Sequence, residues 1–472
     1  MKRYPMKGGM QKILSRNNSC PQKDSSENES YVGVQTFMGI TENNLVEVSI
    51  TKEDLLERIL SPSNLNIAYK RVVQNGGSGG VDDLGTEDLL PYLTAHKNEL
   101  IASLLDGNYR PNPVRRVEIP KENGSKRQLG IPTVVDRLIQ QAISQVLSPL
   151  YEREFSDNSY GFRPKRGAHQ ALRKSQSYIT AGYKYVVDLD LEKFFDTVPQ
   201  IKLMEILSRR IKDGRVLSLI HKYMRAGVVV KHKFSESEQG VPQGGPLSPL
   251  LSNIMLNELD QELEKRGHPF IRYADDCLIF CKSKRATERT QKSIIRFIES
   301  KLYLKVNRDK TTVGYVRGKK FLGYSFYVSK GECRLSVHPK SVTKMKARLK
   351  ELTSRSNGCG YEVRKTKLRQ FIVGWIEYFK LADMKQHLRS IDEWLRRRIR
   401  MCIWKCWKKI KTRYKNLMRC GIDKNQSWMW ANTRKGYWCI AGSPIVSRAI
   451  NNDNLKKAGY LTLCDYYRKV TS

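Results

Sequence analysis

Two short acidic stretches contain the residues best suited to metal-dependent chemistry. Asp275 and Asp276 stand together between two apolar runs, a pattern typical of a β-hairpin with two carboxylates at its turn. Asp190 follows the strand-like run 185–187, so a third carboxylate lies near a strand end. Carboxylates that converge on one point repel one another unless cations lie between them. Because Mg²⁺ takes oxygen ligands and paired metal ions serve phosphoryl transfer, the pattern predicts that type of reaction.

The net charge of the chain predicts a polyanionic partner. Its 472 residues include 85 Lys and Arg against 47 Asp and Glu, which gives a net charge of +38. Residues 340–420 hold 24 of the basic and 6 of the acidic residues, with aromatic residues between them. Cations interleaved with flat rings suit phosphates and unstacked bases, which favours nucleic acid. The alternative interpretations are an acidic membrane surface or a basic segment without a partner.

The sequence contains no signal for a membrane span, for secretion or for a zinc site. No apolar run approaches the ~20 residues that a membrane span requires. The basic N-terminus is not followed by the apolar core of a secretory signal. The ten cysteines form no matched pairs with CxxC spacing. We therefore expect reduced thiols, a cytoplasmic location and no membrane partner.

The segments around the acidic stretches predict elements that position them. Residues 114–120 alternate like a strand and residues 126–131 return after a turn, which predicts a hairpin carrying several cations. Such a hairpin is either a clamp for a triphosphate or an exposed basic surface without a ligand. The Pro and Gly residues of 240–249 exclude a helix or a central strand there, and they let main chain approach a ligand closely.

The remaining periodicity predicts helices and one further strand. Thr51 is the predicted cap of the first helix. Amphipathic helices are predicted over 136–150 and about 250–266, and a strand over 321–326. The C-terminal part becomes helical and basic, with apolar residues recurring at spacings near 3.6 over 388–410.

Several of these segments, in this order, resemble the motifs of reverse transcriptases, and specifically of the proteins that bacterial group II introns encode. The resemblance rests on the segments 127–137, 159–164, 190–196, 239–253, 273–276, 307–311 and 321–324. Residues 365–410, with Gly374 and Trp375, are similar to the maturase or thumb region of the same family. A Tyr-x-Asp-Asp motif alone is a weak signal, whereas ordered motifs within about 51–410 are specific.

The resemblance implies a fold and a domain organisation. The fold would be α+β, a right-hand polymerase whose palm is an antiparallel sheet backed by helices. Fingers and palm would occupy 51–332, a helical thumb or maturase region 333–415, and a small nucleic-acid-binding tail 416–472. Residues 1–50 are polar and predict a flexible arm. A C-terminal endonuclease of the type many intron proteins carry is not expected, because few residues follow 421 and their cysteines lack partners.

The resemblance also assigns a catalytic centre. Asp190, Asp275 and Asp276 would be catalytic, and together with the backbone of Leu191 they would bind two Mg²⁺ ions, with Mn²⁺ as a substitute. Asp188 also precedes the first motif, but its spacing fits the family pattern less well than that of Asp190.

Other residues would contact the substrates. The ring of Phe195 would lie beside the sugar 2′ position and exclude ribonucleotides by its bulk. Lys310 would neutralise or protonate the departing pyrophosphate, or would be a solvated lysine. Arg163 would contact the template phosphate or brace its own loop. Nucleotide binding is implied for Lys121, Arg127, Phe195, Gln243 and Lys310, and primer or template binding for Arg163, Gly323 and Tyr324.

The implied activity is RNA-templated DNA synthesis from a primer 3′ end, with deoxynucleoside triphosphates as substrates. The implied partners are the group II intron RNA that encodes the protein and a DNA target and primer, in a cytoplasmic bacterial ribonucleoprotein that assists splicing and intron mobility. Two alternatives remain open at this point. One is a free-standing bacterial reverse transcriptase used in defence or diversification, and the other is a splicing maturase without polymerase activity. The oligomeric state is also open.

Overall fold

The computed structural model describes residues 54–120, 124, 126–231 and 233–471, without the side chain of Arg127. The predicted arm at 1–50, the predicted helix cap at Thr51 and the predicted nucleotide ligand Lys121 lie outside the described residues. The described chain forms helices and three β-sheets, followed by a region that is helical.

The first described segment has the helices and the hairpin expected of fingers. It contains α1 (Leu55–Leu60), α2 (Pro62–Asn75), α3 (Leu89–Leu105), β1 (Val114–Pro120), β2 (Lys126–Ile131) and α4 (Val134–Glu152). The Thr133 side chain accepts a hydrogen bond from the Asp136 amide, which caps α4 and starts it two residues before the predicted position. Strands β1 and β2 are antiparallel with Arg116 opposite Gly130, so the predicted hairpin is confirmed.

The next segment builds a four-stranded palm sheet backed by helices. Its elements are α5 (Ala168–Thr180), β3 (Tyr185–Leu189), α6 (Phe194–Thr197), α7 (Gln200–Arg210), α8 (Gly214–Arg225), β4 (Val228–Val230), β5 (Lys233–Ser235), α9 (Ser248–Lys265), β6 (Phe270–Tyr273), β7 (Asp276–Cys281), α10 (Lys284–Lys301) and β8 (Thr312–Tyr315). The palm strands have the order β6-β7-β3-β8, and all neighbours are antiparallel. Val187 and Leu189 enter the hydrophobic core. Because side chains alternate across a strand, Asp188 and Asp190 fall on the opposite face.

A second sheet joins elements from both segments. Its order is β2-β1-β4-β5, and β1 pairs with β4 in parallel, with Val114 opposite Val228. Parallel neighbours need a long crossover connection, and here that connection is the chain from β2 to α8. One continuous hydrophobic core extends from Leu55 in α1 to Val306 after α10, so these segments pack as one body.

The third sheet corrects the prediction of a single strand over 321–326. It consists of β9 (Lys320–Phe321), β10 (Tyr324–Ser329) and β11 (Glu332–Val337), in the order β11-β10-β9. Leu322 and Gly323 have φ values of 48° and 78°, and they turn the chain between β9 and β10. The apolar run conceals this turn, because only Gly323 signals it. Strand β11 also crosses the predicted boundary at residue 332, so the helical region begins after Val337.

The C-terminal region is built from helices. They are α11 (Pro339–Leu352), α12 (Tyr361–Phe379), α13 (Lys385–Cys406), α14 (Ile410–Arg419), α15 (Lys424–Ala431), α16 (Tyr437–Ala441), α17 (Pro444–Ala449), α18 (Asn452–Lys457) and α19 (Leu463–Thr471). The periodicity predicted through Ile410 is interrupted, because Trp407 leaves the helical conformation and packs its ring against Trp404. The predicted boundary at residue 415 lies inside α14. Among the described residues, no helix combines the length and the apolar character that crossing a membrane requires.

A buried tyrosine joins the third sheet to the C-terminal helices. Tyr324 is fully buried, and its hydroxyl donates to the Tyr378 carbonyl near the end of α12. His169 of α5 reaches the same carbonyl, with Nε2 at 2.7 Å. Burial lowers the pKa of His169 below its ordinary value. The neutral imidazole, donating from Nε2, is therefore the form that fits this junction.

We expect protonation of His169 to weaken the junction. The folded pKa of His169 is lowered, so the unfolded chain binds the proton more strongly, and stability falls as the pH drops below the ordinary value of 6.5. Between about pH 7.5 and about pH 5.5, the melting temperature of the wild type should fall further than that of His169→Gln. The Gln amide can still donate to the Tyr378 carbonyl.

The control is His387→Gln, which removes an exposed imidazole and should keep the wild-type pH dependence. An identical pH dependence of the melting temperature in His169→Gln and in the wild type would contradict the prediction.

Candidate active site

The palm sheet brings the two acidic stretches together. Strands β3 and β7 pair as far as Leu189 opposite Cys277. Continuing this register by one position, we infer that Asp190 faces Asp276. Opposite residues of antiparallel strands have Cβ atoms roughly 4.5–5.5 Å apart and lie on the same face of the sheet. Two carboxylates that are far apart in the sequence therefore become neighbours across one pair of strands.

The second acidic stretch forms a tight turn. Strands β6 and β7 pair as far as Tyr273 opposite Asp276, so Ala274 and Asp275 are the two turn residues. Ala274 has a φ of 55°, a left-handed conformation that residues with a side chain seldom adopt. Asp275 and Asp276 lie at the end of the hairpin, and Asp276 is exposed. The hairpin therefore carries two of the three carboxylates at the end of the palm sheet where β3 leads into Asp190.

A loop after α10 holds Asp190 in place. The Asn307 amide donates to the Asp190 carbonyl at 2.9 Å, and the Asp190 amide donates to Thr311 Oγ1 at 3.2 Å. The Lys310 ammonium forms an ion pair with Asp190 Oδ2 at 3.4 Å. That oxygen is shielded from solvent but accepts no hydrogen bond from any described residue. Because the Lys310 side chain is 62% exposed, the ion pair is weak and can be exchanged for another charge.

Asp188 lies on the same face of β3 as Asp190. It sits inside the sheet, between Leu278 of β7 and Thr312 of β8. Burial raises the pKa of Asp188; Lys319 opposes this effect, and the charge of Asp190 adds to it. The charge of Asp190 therefore disfavours the ionised form of Asp188, and a cation bound there would relieve the repulsion.

Phe195 lies in the short helix that follows Asp190. Phe194 is 3% exposed and belongs to the core, whereas Phe195 is partly buried. The Phe195 carbonyl accepts a hydrogen bond from the Val241 amide at 2.6 Å, which attaches the Pro- and Gly-rich loop to this helix. Gly240 has a φ of 88°, and a Cβ there would lie 2.7 Å from the Phe195 carbonyl oxygen. The close approach of loop and helix therefore requires a glycine at position 240.

The same loop contacts the fingers hairpin. The Gly130 amide donates to the Gln243 carbonyl at 2.7 Å. Arg116 of β1 reaches towards α6, with Nη2 3.5 Å from Asp196 Oδ1. The fingers, the loop and the Phe195 helix are thus linked beside the acidic end of the sheet. Sequence reasoning missed Arg116, because nothing in its local pattern indicates a partner 80 residues away.

Arg163 is not placed where it could reach a template. It is 6% exposed, and its guanidinium bonds the Glu152 carboxylate at 2.7–3.1 Å. It also donates to the carbonyls of Ser156 and Ser159, at 2.5 and 2.9 Å. Breaking these bonds would leave the buried Arg163 guanidinium without its acceptors. Of the two uses expected for Arg163, the structure favours the bracing of its loop.

Tyr324 is a second correction to the expected primer ligands. Its ring is fully buried at the junction with the C-terminal helices, so it cannot contact a primer. Gly323 turns the chain beside it, and a Cβ there would lie 3.1 Å from the Phe379 ring. Both residues therefore contribute to the junction between the third sheet and the C-terminal helices. For Arg127 the structure describes only the backbone, which lies opposite Ile119 in the fingers hairpin.

The acidic end of the sheet fits a magnesium ion as an open site. The carboxylates of Asp190, Asp275 and Asp276 are hard oxygen donors, and the unsatisfied Asp190 Oδ2 would gain a partner in a cation. Leu191 forms a bridge with Val306, which fixes the main chain next to Asp190. In the described part of the chain, no group of three or more His, Cys, Asp or Glu residues is placed so that it could by itself hold a metal ion. Because Mg²⁺ commonly binds one or two carboxylates and completes its shell with water and substrate phosphates, a closed cage is not required.

The C-terminal helices use their arginines and lysines differently. Arg398 donates to Thr353 Oγ1 at 2.6 Å, and Arg413 donates to the Trp407 carbonyl at 3.0 Å. The Arg397 guanidinium lies 4.1 Å from the centre of the Trp438 ring. The exposed basic residues on α11 to α14 are Lys340, Lys344, Lys346, Lys350, Lys367, Arg369, Lys385, Arg389, Lys411, Lys415 and Arg419. Several arginines thus tie the helices together, while a mostly lysine surface is accessible to phosphates.

Known families match most of the described chain. Residues 119–326 match the model of reverse transcriptase (RNA-dependent DNA polymerase), and residues 342–421 match that of the group II intron maturase-specific domain. Protein YkfC of Escherichia coli (strain K12) is 35% identical over an alignment of 317 residues, and the match covers 58% of this chain and 83% of YkfC. Group II intron-encoded protein LtrA of Lactococcus lactis subsp. cremoris is 29% identical over an alignment of 356 residues, and the match covers 61% of this chain and 59% of LtrA.

A solved structure of a partial Cas6-RT-Cas1--Cas2 complex is also similar in sequence. It is 27% identical, and the match covers 56% of this chain and 45% of that chain. Its TM-score of 0.35 is too low to bear on the fold.

The palm sheet with its acidic turn, followed by a helical region, defines the class of the protein as a reverse transcriptase. The chain belongs to the reverse transcriptase family and, with its maturase-specific domain, to the proteins that group II introns encode. The α+β fold and the helical C-terminal region expected from the sequence are confirmed. No endonuclease match accompanies the two matched domains.

Proposed function

We propose that the chain is an RNA-directed DNA polymerase whose active centre is the acidic end of the palm sheet. The observation that supports the proposal is the register of β3 and β7, which ends with Leu189 opposite Cys277, next to Asp190 and Asp276 in the sequence and at the end of the sheet that carries the turn residue Asp275. The match of residues 119–326 supports the reaction class. When bound, a pair of Mg²⁺ or Mn²⁺ ions would lower the pKa of the primer 3′-hydroxyl and neutralise charge on the leaving pyrophosphate.

The residues of the protein hold the acidic groups at fixed positions. The bonds from Asn307 and Thr311 fix Asp190 at the end of β3, and the tight hairpin carries the other two carboxylates. The main-chain carbonyl of Leu191 is the proposed additional oxygen ligand. Phosphoryl transfer depends chiefly on positioning and on charge stabilisation, so rigid strands suit this task.

Cationic side chains would hold the triphosphate and the pyrophosphate. The Lys310 ammonium lies 3.4 Å from Asp190 Oδ2 and is largely exposed, so it can move from the carboxylate to a departing phosphate. We assign it the role of neutralising or protonating the pyrophosphate. Lys121, which follows β1 in the sequence, and Arg127 of β2 are proposed for the triphosphate. Gln243, from the loop bound to that hairpin, would contact the nucleotide.

Replacing one catalytic carboxylate tests the polymerase. With a primed RNA template, deoxynucleotides and magnesium, Asp275→Asn should extend the primer more than about 100-fold more slowly than the wild type. The loss should exceed the ~10–100-fold typical of a residue that only supports a metal ligand, because the neutral amide no longer attracts a cation. The measurement is the initial rate of primer extension.

The matched control is Asp106→Asn, which alters an exposed aspartate after α3 and should extend the primer at the wild-type rate. If wild-type protein fails to extend the primer in conditions where a known reverse transcriptase works, the polymerase proposal is wrong.

Phe195 is the proposed gate against ribonucleotides. Phe195→Val should raise the incorporation of ribonucleotides relative to deoxynucleotides by ~10–100-fold, because the smaller side chain leaves room for the 2′-hydroxyl. The measurement is the ratio of kcat/KM for a ribonucleotide and its deoxy form. Phe194→Leu is the control, since Phe194 is a core residue and its loss should lower stability without changing this ratio. An unchanged ratio in Phe195→Val would remove the gate from the proposal.

We further propose that the C-terminal helices bind the intron RNA that encodes the protein and assist its splicing and mobility. The match of residues 342–421 to the maturase-specific domain supports this role, and the same segment carries the exposed lysines of α11 to α14. The protein would act as a ribonucleoprotein in the bacterial cytoplasm, with a DNA target and primer as further partners. Binding dominated by phosphates would weaken steeply with salt.

Neutralising two exposed lysines of α11 tests the RNA interface. Lys346 and Lys350 lie four residues apart on one helix, hence on the same side. The double variant K346Q/K350Q should reduce the slope of log Kd against log salt for the intron RNA by about 1–2, one for each lost phosphate contact. Protein-dependent excision of the intron at low magnesium should fall in parallel.

Lys301→Gln, at the exposed end of α10 in the palm, is the control and should keep the wild-type slope. Equal slopes in the double variant and the wild type would exclude this helix from the interface.

The same assays separate the two alternative functions. A maturase without polymerase activity would promote excision but not extend a primer, and a free-standing reverse transcriptase would do the reverse. The carboxylates at 190, 275 and 276 favour a working polymerase. The maturase-specific match favours an intron role over a free-standing enzyme.

A further inference from the structure

A fully buried ion pair lies beneath the acidic turn. Arg272 in β6 and Asp260 in α9 have side chains that are 1% and 0% exposed. Arg272 Nε donates to both Asp260 oxygens, at 2.8 and 3.0 Å, and Nη2 donates to Oδ2 at 2.6 Å. Such a bidentate geometry fixes the orientation of the guanidinium plane. The charges of the pair compensate each other, so its main effect on its surroundings is geometric.

The guanidinium extends from this ion pair to the turn itself. Arg272 Nη1 donates to the Ala274 carbonyl at 3.0 Å and to Asn253 Oδ1 at 2.9 Å. Asn253 and Asp260 are seven residues apart in α9, two turns of the helix, so one face of α9 supplies both partners. Helix α9 therefore controls the main chain of the residue that precedes Asp275.

Asn253 connects the ion pair to the opposite side of the turn. Its Nδ2 donates to the Gly161 carbonyl at 2.9 Å. A Cβ at Gly161 would lie 2.2 Å from the Ala274 nitrogen, so the bare glycine backbone is packed against the turn. The Tyr160 amide also donates to the Arg272 carbonyl at 2.9 Å, which docks this loop along β6. The Ala274 carbonyl thus accepts a hydrogen bond from Arg272, and Gly161 packs closely against the Ala274 nitrogen.

The conformation of Ala274 explains why such support is needed. Its φ of 55° is disfavoured for alanine, and a two-residue turn with this geometry would relax if its surroundings allowed it. Disfavoured backbone conformations persist where neighbouring groups over-determine them, and they concentrate at functional sites. Buried ion pairs contribute little net stability compared with apolar packing, so this pair is better explained by its geometry.

We propose that Arg272, Asp260 and Asn253 are positioning residues that set the separation of the Asp275–Asp276 turn from Asp190, and through it the affinity of the acidic site for divalent cations. None of the three needs to touch a substrate. The inference rests on the proposed polymerase function for its kinetic consequences, whereas metal binding can be measured without turnover.

The test compares metal binding and kinetics in the full chain. Mn²⁺ binding is followed by electron paramagnetic resonance, without nucleotide or primer. Primer extension on poly(rA)/oligo(dT) gives kcat, the KM for dTTP and the magnesium concentration for half-maximal rate. Asn253→Leu keeps the side-chain size and buries no unpaired charge, so it should fold. It should weaken Mn²⁺ binding ~10-fold and lower kcat ~10–100-fold, with the KM for dTTP changed less than about 2-fold.

Two further variants reach the same turn by other routes. Asp260→Asn removes the charge partner of Arg272, and Gly161→Ala pushes the turn from its other side through the clash with the Ala274 nitrogen. Both should raise the magnesium requirement in the same way as Asn253→Leu. The matched control is Asp213→Asn, another buried aspartate, which bonds Arg215 and the Leu56 amide away from the hairpin. It should lower the melting temperature and leave metal binding unchanged.

The outcomes are distinct. A folded Asn253→Leu protein with wild-type Mn²⁺ affinity and kcat would overturn the inference, and so would an equal loss of metal affinity in Asp213→Asn. If the wild type binds Mn²⁺ but extends no primer, the polymerase proposal fails, while weaker Mn²⁺ binding by Asn253→Leu would still support the positioning role. If Asp260→Asn does not fold, Asn253→Leu and Gly161→Ala decide the question.

Discussion

The antiparallel pairing of β3 with β7 is the constraint on which the functional site depends. Its register places Asp190 opposite Asp276 and brings Asp275 to the same end of the sheet. Because the side-chain period of a strand is two, a slip by one residue would turn these carboxylates into the core and bring Leu189 out. The apolar side chains of the opposite face, such as Val187 and Ile279, therefore maintain this register through the hydrophobic core.

Like charges at one strand end repel one another, and the surrounding residues hold them in place against this repulsion. Main-chain and hydroxyl groups hold Asp190, a lysine ammonium lies beside its buried oxygen, and a charge-balanced pair holds the neighbouring turn. In the C-terminal helices, arginines and lysines have different roles. Arginines that bond carbonyls tie helices together, while lysines remain on the surface, as the planar fork of Arg and the point charge of Lys favour.

Local sequence patterns predicted many of the elements, and tertiary context overrode the rest. The fingers hairpin, the acidic hairpin and helix α9 follow from alternation, turn residues and helical periodicity. The strand predicted over 321–326 is divided between β9 and β10 by a turn, because Leu322 adopts a positive φ that its residue type does not indicate. The helical pattern through Ile410 breaks at Trp407, whose ring packs on Trp404. In both places the residue types alone do not signal the break in the regular backbone.

The sequence by itself determined the chemistry that is available: the acidic residues at strand ends, the basic and aromatic C-terminal region, and an order of motifs specific enough to indicate the family. Only the tertiary structure decided which of the charged and aromatic residues are accessible. Arg163 and Tyr324 are enclosed, and Arg272 pairs with Asp260 beneath the turn. Pairing and burial depend on residues brought together from distant parts of the chain, and the residue types alone do not specify these partners.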